Sequence, residues 1–534
     1  MVTLLQQLAD DRPNEFALAD RQGALTWDEL DTRVNRWVRL FREYGMGIGD
    51  RLAFVTGNER STVEAVLACL HAGITAVPIN WHLTAPEIAY ILANSGSTAL
   101  LVDPAYAPTS AAALADVGDV GRLRVVTGGT PHAGFDAVEP LLARLGAEPV
   151  PDECSGSTLL YTSGTTGKPK GVVSGLLTTG APLATIHKLV RQLSATLGIP
   201  KHGRNLLVGP WYHSGQLFFS LFPLLNGCSL VLRPRFDAAD LLDMIDRERI
   251  TMTHLVPTHF ARLLRLPAVT RSRFGGASLE LVLHGAAPCA EHLKRTMIDW
   301  WGPVFAEYYA ATEGGIATVI DTEEWLAKPG SVGRAVPGTE VVVIGPDGRE
   351  QPPLHTGTVY LRRAPHQDFK YHKAPDKTAR AHLAPGTFSF GDCGHLDEDG
   401  FLYLSGRQIE MIVSGGVNIY PAEVETVLLA HPAVQDAAVF GIPDSDLGER
   451  VAAMVELVAD GPTLADPAAA LDRHCRQQLA GFKVPRVYDI VARLPRQADG
   501  KVRKRVLQEP YWRSHSAHDT GPGTELASAD PTDR

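Results

Sequence analysis

The most informative segment of the sequence is Tyr161-Thr162-Ser163-Gly164-Thr165-Thr166-Gly167-Lys168-Pro169-Lys170-Gly171, which follows a short apolar run. Its glycines allow backbone N–H groups to approach an anion closely, its hydroxyls donate hydrogen bonds, and its lysines add positive charge. These properties suit a polyphosphate. The stretch is not a Walker A loop, because its glycines are too close together and a proline follows Lys168 where a serine or threonine would bind magnesium. A polar glycine-rich turn is the structural alternative, and the density of such residues disfavours it.

Short apolar strands alternate with helical stretches on both sides of this loop. Such alternation predicts βαβ units and mostly parallel sheets, and its two blocks predict two sheets. The predicted strands lie at 51–55, 76–79 and 99–102 before the loop, and at 158–162, 206–208, 229–232 and 253–256 from the loop onward. Beyond residue 330, strands at 340–344 and 357–362 with no helix between them predict a small antiparallel or barrel-like unit. A compact unit with a helix at Pro421 follows Arg407, and the polar segment 515–534 is interpreted as a disordered tail.

The composition is that of a large acidic protein with enough apolar residues for sizeable cores. The 534 residues carry 50 basic and 60 acidic side chains, a net charge of −10, and 45% of the residues are hydrophobic. This balance argues against a nucleic-acid-binding protein, which usually presents a basic face. The six cysteines form no CxxC pair, which excludes a zinc ribbon and favours a reducing compartment. Since the N-terminus lacks signal-peptide features and the charge-free run Leu206–Leu232 contains prolines and polar residues, we expect a cytoplasmic protein without an integral membrane segment.

Further motifs follow the loop in a fixed order. They are Pro210-Trp211-Tyr212-His213, Tyr308-Tyr309-Ala310-Ala311-Thr312-Glu313-Gly314, Ser389-Phe390-Gly391-Asp392, Leu404-Ser405-Gly406-Arg407, Gly415-Gly416-Val417-Asn418-Ile419-Tyr420-Pro421-Ala422-Glu423 and Gly500-Lys501. Together with the loop, this ordered set resembles the adenylate-forming superfamily, which includes acyl-CoA synthetases, luciferases and the adenylation domains of nonribosomal peptide synthetases. The resemblance covers most of the chain.

The resemblance implies both a fold and a reaction. The expected fold is α/β, with a large N-terminal domain of two βαβ-type sheets and a small distorted β-barrel over 1–406, and a small mobile α+β C-terminal domain over 407–510. The expected enzyme is an AMP-forming acid–thiol ligase. It would activate a carboxylic acid with ATP and Mg²⁺ to an acyl-adenylate and then transfer the acyl group to CoA.

By the same resemblance, particular residues of this sequence receive expected roles. Lys501, Thr312 and Glu313 are the expected catalytic residues, with Glu313 also the ligand of Mg²⁺. Gly415 and Gly416 are expected to contact CoA. The residues expected to bind ATP and AMP are Thr162, Ser163, Gly164, Thr165, Thr166, Gly167, Lys168, Lys170, Gly285, Ala286, Ala287, Tyr309, Thr312, Asp392 and Arg407. The sequence departs from the family at the expected hinge, Ile409, where Asp or Lys is usual, and at Gly175, where a histidine often follows the loop.

The acyl pocket is expected, again by resemblance, to be lined by Trp211, His213, Gln216, His259, His284 and Gly285. The residues at 285–287 are small and are expected to leave room for the acid. Amino-acid-activating relatives carry an acidic residue for the substrate ammonium, and none lies between Leu206 and Leu232. The sequence therefore favours a hydrophobic acid of medium to large size, fatty or cyclic.

Two alternatives to a CoA ligase stay open at this point. The acyl group could pass to the phosphopantetheine of a separate carrier protein or to another nucleophile. A protein of another class, a non-catalytic paralogue that only binds nucleotide, is the second alternative. The presence of Lys168, Glu313, Asp392 and Lys501 argues against it.

Overall fold

The computed structural model describes residues 3–118, 120–162, 169–407, 410–414, 417–444, 447–459, 461–462, 464–496 and 502–519. Several predicted site residues therefore lie outside the described residues: Ser163, Gly164, Thr165, Thr166, Gly167, Lys168, Ile409, Gly415, Gly416 and Lys501, together with the side chain of Arg407. The backbone forms two compact units, residues 1–390 with 394–404 and residues 391–393 with 405–534. The sequence placed this boundary between residues 406 and 407.

The first 150 residues alternate helices and strands, and their β3, β4 and β5 lie within one residue of the strands predicted before the loop. The elements are α1 (Leu4–Asp11), β1 (Phe16–Asp20), β2 (Gly23–Thr26), α2 (Trp27–Glu43), β3 (Arg51–Val55), α3 (Arg60–Ala72), β4 (Thr75–Pro78), α4 (Ala85–Ser95), β5 (Ala99–Val102), α5 (Ala107–Val117), β6 (Leu123–Val126), β7 (Asp136–Ala137) and α6 (Val138–Ala143).

The alternation continues after the loop. The elements are β8 (Ser157–Thr162), β9 (Lys170–Ser174), α7 (Ala184–Thr196), β10 (Arg204–Leu207), α8 (Ser214–Leu225), β11 (Ser229–Leu232), α9 (Ala238–Glu248), β12 (Met252–Leu255), α10 (Pro257–Leu264), α11 (Ala268–Arg271), β13 (Leu281–His284), α12 (Glu291–Trp301), β14 (Phe305–Ala311), β15 (Gly315–Asp321) and α13 (Thr322–Ala327).

Short strands then dominate up to the boundary of the two units. The elements are β16 (Arg334–Ala335), β17 (Glu340–Ile344), β18 (Gly357–Arg362), β19 (Phe369–Tyr371), α14 (Pro375–Ala381), β20 (His382–Ala384), β21 (Thr387–Phe388), β22 (Asp392–Leu396) and β23 (Leu402–Arg407). A single 3₁₀ turn, Pro365–Gln367, precedes β19 among these described residues.

Two large sheets and one smaller sheet organise these strands. Within the described residues, one sheet has the order β16-β15-β14-β13-β12-β10-β11-β1-β2 and another has the order β19-β9-β8-β4-β3-β5-β6-β7. The run from β14 to β1 in the first sheet is parallel throughout. The smaller sheet has the order β20-β21-β18-β22-β23, with β17 paired antiparallel to β18. The predicted α/β class with parallel sheets and a small β unit is confirmed.

Helix α8 lies within the charge-free run Leu206–Leu232. The run folds as β10, α8 and β11, and α8 packs against β10, β11 and β12. Helix α8 is apolar along most of its length, which suits burial between a sheet and other helices rather than exposure to water. None of the helices in the described residues has both the length and the apolar character needed to cross a membrane.

The second unit is a small α+β structure. Its elements are β24 (Ile412–Ser414), β25 (Val417–Ile419), α15 (Pro421–Leu429), β26 (Val434–Asp444), β27 (Gly448–Leu457), α16 (Pro467–Gln478), β28 (Val487–Val491) and α17 (Lys504–Asp519). Helix α15 begins at Pro421, as predicted, and buries Val424 and Leu428. Helix α17 extends to Asp519, and residues 520–534 lie outside the described part, so the predicted tail stays a prediction.

Candidate functional site

The candidate site lies at one edge of the nine-stranded sheet in the first unit. Because β10, β12, β13 and β14 run parallel, their carboxyl ends meet at the same edge, where ligands of open α/β sheets usually bind. The segments that leave these strands contain most of the predicted site residues. They are 208–213, 256–259, 285–287 and 312–314.

A hydroxyl pair joins two of these segments. The side chain of Thr312, directly after β14, lies 3.0 Å from that of Ser214, the first residue of α8, measured between Oγ1 and Oγ. Both side chains are partly exposed, so they can reach a ligand. Since Ser214 lies in the first turn of α8, the free N–H groups of that turn are close to the same point.

A chain of three side chains connects the segment after β14 to the loop strand β9. The hydroxyl of Tyr371 donates to Oε1 of Glu313 at 2.9 Å. The ammonium of Lys170 lies 4.6 Å from the centre of the Tyr371 ring. Tyr371 reaches both because β19 pairs antiparallel with β9, which sets Tyr371 opposite Val172. Sequence reasoning missed Tyr371, since only the pairing of two strands distant in sequence reveals its position.

The residues around Glu313 fit a magnesium ion that arrives with a nucleotide. Mg²⁺ is usually held by one or two carboxylates together with substrate phosphates. The hydrogen bond from Tyr371 engages Oε1 of Glu313 and leaves Oε2 for a cation. No group of three or more His, Cys, Asp or Glu side chains among the described residues is arranged to hold a metal ion. The single carboxylate therefore suits a nucleotide-borne ion.

An aromatic wall stands beside Tyr309, the residue expected to contact adenine. The rings of Tyr309 and Phe390 meet edge to face with their centres 5.7 Å apart. A Cβ atom at Gly314 would lie 2.7 Å from Phe388 and 2.9 Å from Phe390, so only glycine fits between Glu313 and this wall.

Arg363 fixes the turn that follows Glu313, and sequence reasoning missed it too. Its guanidinium donates to the carbonyl oxygens of Gly314 and Ile316, and the side chain is only 9% exposed. Burial lowers the pKa of Arg363 to about 10, so the group stays charged at neutral pH. A buried cation that satisfies two carbonyls holds the backbone of the site in one conformation.

Two further residues expected to bind the nucleotide lie at the start and the end of neighbouring strands. Asp392 begins β22 and is 9% exposed, and Arg407 is the last residue of β23. Asp392 is grouped with the second compact unit.

Three of the residues expected in the acyl pocket lie in hydrophobic cores. Trp211 is 1% exposed in the core with Leu217 and Leu221, and its indole N–H donates to Ser220 Oγ at 2.7 Å. His259 stacks on Phe236 with ring centres 4.0 Å apart. These contacts hold both rings within the protein, and their place in the acyl pocket stays a prediction.

Strand alternation sets His284 on the face of the sheet opposite to helix α8, and its place in the acyl pocket stays a prediction. Successive side chains of a strand point to opposite faces. In β13, Leu283 packs on the face covered by α8, whereas His284 packs on the other face against Phe260 and Phe305. Its Nε2 lies 3.9 Å from the carboxylate of Glu307, which pairs with Lys294 at 2.7 Å. Burial lowers the pKa of His284 well below its usual value.

Gly285 does not leave the room that its size suggested. A Cβ atom there would lie 2.5 Å from the carbonyl oxygen of Tyr308 and 2.9 Å from its ring. The Tyr308 ring therefore occupies the space next to Gly285. The adjoining Ala286 has a φ of +65°, a left-handed conformation that alanine rarely adopts, so the segment after β13 is held in an unusual shape.

His213 and Gln216 remain beside the segment that begins α8. His213 lies at the N-terminal end of α8, and its ring centre is 4.5 Å from that of Tyr212. Gln216 is 4% exposed and packs against Gly209, where a Cβ atom would lie 2.2 Å from its amide carbon. Its Oε1 has no hydrogen-bond partner among the described residues.

Comparison with known proteins identifies the family of this chain. Residues 5–366 match the family of AMP-binding enzymes, and residues 423–501 match the C-terminal domain of AMP-binding enzymes. A feruloyl-CoA synthase from Amycolatopsis sp is 35% identical over 94% of this chain and 97% of the relative. The fatty acid–[acyl-carrier-protein] ligase ScoC from Streptomyces coeruleorubidus is 32% identical over 94% and 95%. The structure of the amide bond synthetase McbA from Marinactinospora thermotolerans superimposes with a TM-score of 0.81 and 25% identity over 95% and 99%.

The chain therefore belongs to the family of AMP-binding enzymes. It is an AMP-forming acid–thiol ligase, and ATP, Mg²⁺ and CoA are the cofactors of this class. The family, the fold class and the enzyme class predicted from the ordered motifs are confirmed.

Proposed function

We propose that this protein activates a hydrophobic carboxylic acid with ATP and Mg²⁺ to an acyl-adenylate and passes the acyl group to CoA in the cytoplasm. The proposal rests on the chain of three side chains formed by Lys170, Tyr371 and Glu313. Thr312 lies next to Glu313, where the carboxyl ends of the parallel strands meet. Together these side chains bring a cation, a carboxylate and hydroxyl donors to one edge of the sheet. The six cysteines are free, which suits a reducing compartment.

The first step joins two anions, so the protein must neutralise charge and align the reactants. Lys170 supplies a fixed positive charge next to the phosphate loop, and the Thr312 hydroxyl is a donor for the α-phosphate. Glu313 holds Mg²⁺, which when bound neutralises phosphate charge and favours departure of pyrophosphate. Lys501 contacts the substrate carboxylate and the α-phosphate in this proposal, and its role rests on the family resemblance.

The nucleotide base and ribose are held by residues of the later motifs. Tyr309 stacks on adenine, with its ring held by Phe390. Asp392 accepts hydrogen bonds from the ribose hydroxyls, and Arg407 assists it. The segment 285–287 passes beside the same nucleotide, and its fixed backbone conformation at Ala286 suits a role in shaping the site.

The acceptor of the acyl group distinguishes the proposal from its alternatives. Relatives of similar identity are named for transfer to CoA and to an acyl-carrier protein, and a structural neighbour is named for amide formation. CoA is the favoured acceptor, because the relative with 35% identity is a CoA synthase. A separate carrier protein is the second candidate.

The test separates adenylation from transfer. Purified protein is assayed for ATP–pyrophosphate exchange with a panel of carboxylic acids, and then for thioester formation with CoA or with a phosphopantetheinylated carrier protein. We expect exchange with at least one acid and a thioester with CoA. Glu313→Gln should lower exchange by roughly a hundredfold or more, since it removes the charge that binds Mg²⁺.

His395→Phe serves as the control, because the His395 ring stacks on that of Tyr403 within the smaller sheet, with the ring centres 5.1 Å apart. It should leave exchange unchanged. Nucleotide binding without exchange for every acid would instead support a non-catalytic paralogue. A thioester formed only with the carrier protein would move the proposal to that acceptor.

A further inference from the structure

A buried histidine–tyrosine pair lies beneath the N-terminal turn of α8. The hydroxyl of Tyr308 in β14 and Nε2 of His254 in β12 are 2.8 Å apart, and the two side chains are 4% and 3% exposed. The ring of Phe219 on α8 covers both, with centres 4.9 Å from His254 and 4.7 Å from Tyr308. Neither His254 nor Tyr308 was among the residues that the sequence suggested for the acyl pocket.

The pair faces the side of the sheet on which the acid is expected. His254 is level with Leu283 of β13, and Leu283 is level with Ala306 of β14, two residues before Tyr308. These side chains therefore share the face that α8 covers, opposite to His284.

Gly215 and Gly285 lie next to the His254–Tyr308 pair, and each belongs to a segment expected to line the acyl pocket. A Cβ atom at Gly215, in the first turn of α8, would lie 3.1 Å from the Tyr308 hydroxyl and 3.4 Å from the His254 ring. Gly285 borders the other side of the Tyr308 ring. The pair thus lies between the segment that contains Ser214 and the segment that follows β13.

The pair has more hydrogen-bonding capacity than the protein uses. Burial lowers the pKa of His254 to about 3 and raises the pKa of Tyr308 above its usual range, so both groups are neutral at pH 7. The neutral pair holds two polar hydrogens, one on the imidazole and one on the phenol, and the mutual contact uses one of them. In either tautomer, one donor and one acceptor remain. Nδ1 of His254 has no hydrogen-bond partner among the described residues.

The remaining donor and acceptor of the His254–Tyr308 pair are buried. Buried donors and acceptors are normally hydrogen-bonded, and an unpaired one is destabilising, so we expect a ligand to supply the partners. Oε1 of Gln216, one residue beyond Gly215, is in the same condition. The surrounding core of Phe219, Leu283 and Ala306 is apolar. A polar floor in an apolar site selects for a ligand with a hydrogen-bonding group at a defined place.

We propose that the His254–Tyr308 pair is the floor of the acyl site, and that the acid carries a hydroxyl or carbonyl group at the end remote from its carboxylate. The inference rests on the proposed adenylation and names its substrate class: compact, ring-bearing acids with a polar substituent rather than straight alkyl chains. The Tyr308 ring occupies the space beside Gly285, which leaves less room for a long chain, and Phe219 supplies an aromatic surface against which a ring can pack.

An acid without a polar group at the end remote from its carboxylate cannot form a hydrogen bond with the His254–Tyr308 pair. We therefore expect the enzyme to discriminate against it. Sites that hydrogen-bond a substrate hydroxyl discriminate strongly against the analogue that lacks it. We expect a discrimination of at least tenfold in kcat/KM, which corresponds to about 1.4 kcal/mol.

The experiment uses the full chain and pairs of acids matched in shape. The probes are benzoate, phenylacetate, 3-phenylpropanoate and cinnamate, each with a para-hydroxyl or a para-methyl group, and the linear acids hexanoate to dodecanoate. AMP release is measured for each acid at saturating ATP. We expect a hydroxyl-bearing acid to exceed its methyl partner at least tenfold and to exceed every linear acid.

The variants connect that preference to the pair. Tyr308→Phe keeps the ring and removes the hydroxyl, and His254→Leu removes the imidazole. Both should reduce the hydroxyl-to-methyl preference about tenfold while leaving the KM for ATP unchanged. Tyr403→Phe is the matched control, because Tyr403 lies in β23 and stacks on His395, and it should keep the preference. If His254→Leu does not fold, Tyr308→Phe alone decides the result.

Three results would overturn the inference: a linear acid as the best substrate, equal rates for hydroxyl and methyl partners, or a preference that survives Tyr308→Phe. Lack of AMP release with every acid would instead count against the proposed function. In that case, calorimetric binding of the same matched acids in the presence of AMP still tests the pair by the same preference.

Discussion

The phenol of Tyr371 interacts with two charged side chains, Glu313 and Lys170. Its hydroxyl donates to Glu313, and its ring lies against the ammonium of Lys170. A hydrogen bond to a charged group contributes about 1.5–3 kcal/mol. The position of Glu313 therefore depends on a residue that touches no substrate in the proposal.

We predict that Tyr371→Phe raises the Mg²⁺ concentration needed for half-maximal pyrophosphate exchange by roughly tenfold, because Glu313 loses the donor that orients it. Tyr371→Leu, which also removes the ring beneath Lys170, should have the larger effect. The measurement is a Mg²⁺ titration of exchange at fixed ATP, with Tyr360→Phe in β18 as the control. An unchanged Mg²⁺ requirement in Tyr371→Phe would show that Glu313 keeps its position without the hydroxyl.

At Gly175 the sequence shows a departure from the family pattern, in which a histidine often follows the loop, but does not show its structural reason. A Cβ atom at this position would lie 2.3 Å from the carbonyl oxygen of Asp368 and 2.7 Å from that of His366. Because β19 pairs with β9, the 3₁₀ turn before β19 approaches the backbone here and excludes any side chain.

Among the elements, strands were easier to predict than the faces they present. The apolar runs predicted β3, β5 and β11 to the residue, since strand position follows from local composition. The faces of β12, β13 and β14 follow from register between distant strands, which no local pattern contains. For this reason the sequence could not show that His254 and His284 lie on opposite faces of the sheet. Helix α8 begins at Ser214, a start that apolar patterning alone does not reveal, because Ser214 and Gly215 carry no apolar signal.

Helix α10 carries a histidine whose burial should make stability depend on pH. His259 packs on Phe236, and burial, with smaller contributions from the charges of His254 and Arg262, lowers its pKa to about 3. The folded protein keeps this ring neutral, whereas the unfolded chain binds a proton below pH 6.5. The stability that the neutral ring contributes is therefore complete above pH 6.5 and is lost progressively as the pH falls towards 3.

We predict that His259→Phe, which retains the stacking shape, makes stability less sensitive to acid. Between pH 7 and pH 5 the wild type should lose up to about 2 kcal/mol more than the variant. The measurement is the melting temperature of both proteins at pH 7, 6 and 5. Parallel curves would mean that His259 is protonated in the folded state despite its burial.

For the whole molecule, the net charge of −10 gives little information about the ligands. The proposed substrates are anions, and the structure meets them with individually placed groups such as Lys170 rather than with a basic surface. The ordered motifs predicted the family and the enzyme class because each carries specific chemistry over a short span. The proposed acyl site has no such motif, since the side chains proposed to form it come from several strands and a helix.

The reaction has two steps, and the sequence assigns them to different residues of the second unit. The strand end and helix that flank Lys501 are both part of this unit: Val502 bridges to Arg496, and Lys504 pairs with Glu410 at 3.1 Å and with Glu425 at 2.8 Å. Glu410 precedes β24, and β24 leads directly to the pair of glycines expected to contact CoA. The sequence positions of the lysine and of the glycines thus fall within one unit, which suits the two-step assignment that the family resemblance predicts.

We predict that Lys501→Ala lowers adenylation by at least a hundredfold, because it removes the cation that meets the growing charge on the α-phosphate. The same variant should still form the thioester from supplied acyl-adenylate and CoA at close to the wild-type rate. Gly416→Leu should show the reverse, since a branched side chain would obstruct the thiol path while adenylation proceeds. Single-turnover assays of each half-reaction measure the four rates. Equal loss of both steps in Lys501→Ala would contradict a two-step assignment, because it would mean that one arrangement of the second unit serves the entire reaction.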